Sequence, residues 1–126
     1  MFHAMSKFQL ISRAQQVVAR TQRKLPVEIR ELAWKLPVSF HDWPDDALLG
    51  DEFEADILGL FVGEAHGLEA GLGNSVPAQV FLFLENINDE ADGDPARFDE
   101  EVRLTYLHEL GHYLGWDEDE VEARGL

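Results

Sequence analysis

Arg103-Leu104-Thr105-Tyr106-Leu107-His108-Glu109-Leu110-Gly111-His112-Tyr113-Leu114-Gly115-Trp116-Asp117-Glu118 carries two imidazoles four residues apart with a carboxylate directly after the first. That spacing gains its meaning on a helix. Positions i and i+4 lie one turn apart on the same face, so both ring nitrogens reach a single tetrahedral ion, and Glu109 flanks the position left open for water. The punctuation predicts such a helix over about Pro95 to Leu114. Asp94 is a ready N-cap with Pro95 at the first helical position, and Gly115 suits a left-handed C-cap after which Trp116 folds back toward Leu110. Projected at about 100° per residue, Leu104, Leu107, Gly111 and Leu114 form one apolar wall and Val102, Tyr106 and Tyr113 a second. Glu101, Thr105, His108, Glu109 and His112 fall between the walls. A helix apolar on two sides is embedded, so this polar strip opens into a cleft or is compensated by an ion.

Catalytic zinc usually takes three protein ligands, and with no cysteine in the chain the third must be a histidine or a carboxylate. Fourteen residues follow His112, fewer than a separate downstream helix bearing a glutamate requires, and methionine occurs only at positions 1 and 5, so no Met-turn underlies the metal. The reversal that Gly115 permits returns the next few residues toward the ion. Glu118 stands at the eleventh position of the H-E-x-x-H-x-x-G-x-x-acid pattern, with Asp117 as its neighbour and competitor.

Working outward, residues 8–21 show a helical recurrence of Phe8, Leu10, Ile11, Ala14, Val17, Val18 and Thr21 opposite a basic face. The same acid-free start is also how a transit peptide looks. Pro26 opens a short second helix through Ile29, Leu32, Ala33 and Leu36, which Pro37 closes. Val38 to His41 alternates as a short strand, Trp43 to Asp46 reads as a turn, and Ile57 to Val62 is a short apolar strand ended by Gly63. The glycine-rich stretch up to Pro77 reads as an irregular loop, Gln79 to Leu84 as the clearest strand, and Asn88 to Gly93 as an acidic turn. The 126 residues are expected to form one domain whose core needs no disulfide. No apolar run approaches the ~18 residues of a membrane span.

Charge is unevenly spread: +5 over residues 1–37, −9 over 38–84 where Lys and Arg are absent, and −11 over 85–126, giving −15 in all. A chain this acidic repels phosphate backbones, and its basic stretch has no interleaved aromatics or glycines, so nucleic acid is not expected as a partner.

The residues Leu25-Pro26 and the helix after them, Leu58-Gly59-Leu60-Phe61, the strand Val80 to Leu84, and above all Arg103 to Leu126 resemble the small bacterial single-domain zincin-like metallopeptidases, or mini-zincins. The resemblance implies an α+β minimal zincin fold: a small mixed sheet packed on helices, with the active-site helix near the C-terminus and an edge strand facing the cleft. It implies a cytoplasmic zinc peptidase, monomer or homodimer, that takes a peptide or protein substrate. One Zn2+ would be held by His108, His112 and Glu118, where the family usually has aspartate at the last position. Glu109 would be general base, accepting a proton from the attacking water and returning it to the leaving amine. Zincins in general suggest pairing of an extended substrate with Val80 to Leu84; for the oxyanion donor, His41, His66 and Tyr106 are the candidates. Two rivals stand beside this reading. Gly115-Trp116-Asp117 echoes the H-G-x-L-H-x-x-G-Y-D-H motif of rRNA-maturation endoribonucleases, against which stand Glu109, Glu118 and the acidic charge. A non-catalytic metal-binding or interaction module on the same scaffold is the other.

Overall fold

The computed structural model describes residues 4–50, 53–63, 77–116 and 118–123, with the side chains of Glu118, Val121 and Glu122 outside the description. Its first helix, α1 (Lys7–Arg23), starts at a reciprocal cap in which Ser6 Oγ accepts from the Gln9 N–H while the Gln9 side chain accepts from the Ser6 N–H. Leu10, Ala14, Val17, Val18 and Thr21 turn inward at helical spacing. Phe8, expected on that face, is instead 86% exposed, because it sits in the first turn beyond the reach of the core. After α2 (Val27–Lys35), whose N-cap position is taken by Pro26, comes β1 (Val38–His41). The expected turn at Trp43 to Asp46 ends in a one-turn helix, α3 (Asp46–Leu49), because the Asp45 carboxylate accepts from the Leu48 N–H.

Two further strands, β2 (Gly59–Val62) and β3 (Gln79–Phe83), complete a three-stranded mixed sheet in the order β1-β3-β2. β1 runs parallel to β3 with Val38 opposite Val80, and β2 runs antiparallel with Phe61 opposite Val80. The strand read from sequence as the one beside the cleft is therefore the central strand. Paired on both sides, the residues of β3 cannot add a substrate strand, and Leu84 has already left the sheet as the first residue of the next helix. Among the described residues, the unpaired edge near the functional helix belongs to β2.

The acidic turn expected from Asn88 begins instead as the end of a helix, α4 (Leu84–Glu90), which follows β3 without a break. Leu84, Ile87 and Ala91 recur at helical spacing and are fully buried, and that burial outweighs the turn preference of Asn86, Asn88 and Asp89. The turn itself is confined to Ala91 to Gly93, with Asp92 and Gly93 both at positive φ.

α5 (Pro95–Tyr113) follows, N-capped by Asp94 as expected. It lies against β2 and β3 on one side and against α1 and α4 on the other, which is why it buries Phe98, Val102, Tyr106, Leu107, Leu110 and Tyr113 around much of its circumference. A bidentate pair from Arg13 to Asp99 (3.0 and 2.8 Å) and a bond from Gln22 to the Tyr106 hydroxyl (3.1 Å) tie α1 to it. Its end is a Schellman turn: Trp116 N–H donates to Gly111 O (2.9 Å), Gly115 N–H to His112 O (3.0 Å), and Gly115 takes φ +79°. A short α6 (Glu118–Ala123) comes next. No helix among the described residues is long and apolar enough to cross a membrane.

Candidate metal centre

His108, Glu109 and His112 stand together at the C-terminal end of α5, each offering one ligand atom, all within 4.8 Å of one another. The two Nε2 atoms are 3.1 Å apart and the rings meet edge to face. Two nitrogens bound to one tetrahedral zinc at ~2.05 Å lie about 3.3 Å apart, so the imidazoles already have the required convergence. Two imidazoles and a carboxylate grouped in this way could hold a metal ion.

The glutamate is set differently from the histidines. His112 is exposed and His108 half-buried, whereas Glu109 is buried between α5 and the sheet. Its carboxyl is pushed above the ordinary range, first by desolvation, while the two histidines and the backbone N–H of Phe61 pull it down. That N–H is available because of the register. Phe83 N–H donates to Leu58 O, so Leu58, Leu60 and Val62 face β3, and Gly59 and Phe61 present their backbone groups to the outer edge above α5.

Gly59 is the second consequence of that proximity. A Cβ there would lie 2.6 Å from Thr105 Cγ2 and 3.4 Å from Glu109 Cγ, so a hydrogen is what lets β2 close on the functional helix. A lone glycine inside the apolar run Leu58-Gly59-Leu60 is the sequence signal by which such an approach could have been found. Beside it opens a cleft of ≈350 Å³ walled by Ile57, Leu58, Leu104, Thr105, His108 and Glu109. Leu104, expected in a buried wall, is 45% exposed because it forms the floor of this cleft instead of meeting a neighbouring element.

The other sequence candidates do not converge here. Tyr106 is buried on the α1 side of α5, its hydroxyl taken by Gln22. His41 lies tilted against Phe81 at 5.2 Å, on the sheet face turned away from α5. His66 and Asp117 lie outside the described residues; Glu118 is placed only as the first residue of α6.

A comparison with curated proteins finds no match. The sequence model of the zincin-like metallopeptidases matches residues 34–126, nearly three quarters of the chain and all of the sheet, α5 and the His-Glu-His group. The chain belongs to the zincin-like metallopeptidase family.

Proposed function

We propose that this protein is a zinc-dependent peptidase with Glu109 as its general base. The observation that carries the reading is the pairing of two convergent imidazoles with a buried carboxylate in a groove below a free strand edge. His108 and His112 hold the metal, with Glu118 proposed as the third ligand. A zinc ion at these nitrogens supplies Lewis acidity toward water and a peptide carbonyl.

The chain's own residues do the rest. Glu109, desolvated and kept in place by the Phe61 N–H, accepts a proton from the attacking water and delivers it to the departing amine. The outward backbone groups of Gly59 and the Phe61 carbonyl pair with an extended peptide, while the Leu104 cleft accepts an apolar side chain next to the scissile bond. The negative surplus favours basic peptides.

Protein purified without chelators and analysed for metal should carry one zinc per chain and cleave members of a diverse peptide mixture. Glu109→Gln should keep the zinc and lose at least about 10²-fold in rate. Absence of zinc binding, or undiminished cleavage by the Gln variant, would overturn the assignment.

A further inference from the structure

The face of the sheet turned away from α5 carries a second concavity, of ≈370 Å³, that the proposed peptidase chemistry does not use. Its walls are aromatic. Phe81 and Phe83 stand two residues apart on the same face of β3 with rings nearly parallel (3°) and centroids 6.4 Å apart. His41, opposite Phe83 on β1, tilts over both at 5.2 and 6.3 Å. Phe83 is fully buried and makes the floor, while Trp43, 60% exposed, lines the cavity from the loop after β1. Leu48 and Asp45 close it from the start of α3.

The chemistry of this open concavity is specific. Aromatic faces are electron-rich, and several of them around a small cavity favour a cation whose charge is spread over apolar bulk; indole is the strongest such partner. The electrostatics agree. Residues 38–50 carry Asp42, Asp45 and Asp46 and no Lys or Arg, and Lys7, which reaches this region, is already paired with Asp42 at 2.6 Å. Asp45 accepts the Leu48 N–H with Oδ1 and lines the cavity wall. An anion would meet this field unfavourably, and a strongly hydrated ammonium would lose water to rings that return few hydrogen bonds. A volume of this order suits a small molecule rather than a protein surface.

We infer that the pocket of His41, Trp43, Phe81 and Phe83 binds a small quaternary ammonium cation, the trimethylammonium head group. It is a site separate from the His-Glu-His centre, across the sheet from it.

The test uses choline and its neutral carbon isostere 3,3-dimethyl-1-butanol, which share shape and differ in charge. Titration of the whole protein, followed through the indole N–H resonances, should move the Trp43 signal saturably with choline at millimolar concentration. The isostere should bind at least about tenfold more weakly. Trp43→Ala should remove binding. Asp45→Asn should weaken it several-fold while α3 stays intact, because asparagine caps a helix as well as aspartate does. Equal binding of the isostere would show a plain apolar pocket, and no movement of the Trp43 signal with choline would show no site; either result overturns the inference. A Tm for Trp43→Ala within a few degrees of the parent separates loss of the site from loss of the fold. Zinc content and peptide cleavage should be unchanged in both variants, so failure here leaves the peptidase reading standing.

Discussion

A carboxylate becomes a useful base through its surroundings, and Glu109 is buried by the same strand whose N–H steadies it. The third ligand is settled by a comparison between neighbours. Glu118→Ala should weaken zinc binding by at least about 10- to 100-fold, the loss typical of even outer partners of a metal, and Asp117→Ala far less. Competition titration against a chelating dye measures both. Equal small effects would exclude either carboxylate. A different acid sets a pH dependence. Glu85 is raised above its ordinary 4.5 by desolvation and by Asp42 and Asp89, only partly offset by Lys7. A group raised in the folded state favours folding when protonated; that contribution is full below the ordinary carboxylate range and lost as pH rises through the folded value. Glu85→Gln should therefore raise Tm at neutral pH, with the gain vanishing in acid, as thermal melts across pH will show.

At the scale of elements, β2 and α5 meet through an absence of atoms. Gly59→Ala brings a methyl within 2.6 Å of Thr105 Cγ2, and overpacking of this kind costs roughly 1–3 kcal/mol. Thr105→Ser removes the opposing methyl and should recover part of the loss, a coupling that a double-mutant cycle by denaturant unfolding measures. Gly115→Ala meets no neighbour and is strained only by φ +79°, so it should cost about 1–2 kcal/mol without repacking. These elements differ in how plainly the sequence announces them. α5 was readable because Asp94, Pro95 and Gly115 mark both ends and the periodicity between them is local. α4 was not, because assigning Leu84 to the preceding strand removed the first of its three inward positions and left a run of Asn and acids that reads as turn. The helical projection also gave the direction of Leu104 but not what lies opposite, since a periodicity contains no information about neighbours distant in the chain. For the same reason β3 was recognisable as a strand while its place at the centre of the sheet was not.

At the scale of the whole molecule, the family match begins at residue 34, yet α1 braces α5 from outside it. Arg13 and Asp99 are partly exposed, so water screens their pair. Asp99→Ala should cost about 0.5–1 kcal/mol despite the bidentate geometry, and less at high salt, as urea melts at two ionic strengths will show. A strand edge able to pair with a peptide, as proposed above, can pair equally with every other copy of the molecule. The outward backbone groups of Gly59 and the Phe61 carbonyl form a template that an extended chain can complete. What guards that template is brevity and repulsion: β2 is four residues long, and each molecule carries a formal charge of −15. Repulsion between the carboxylates opposes pairing of strand edges between copies. As acid neutralises them, the edge proposed to admit substrate should become the surface along which molecules cohere, so that solubility and access to the cleft would share one electrostatic origin.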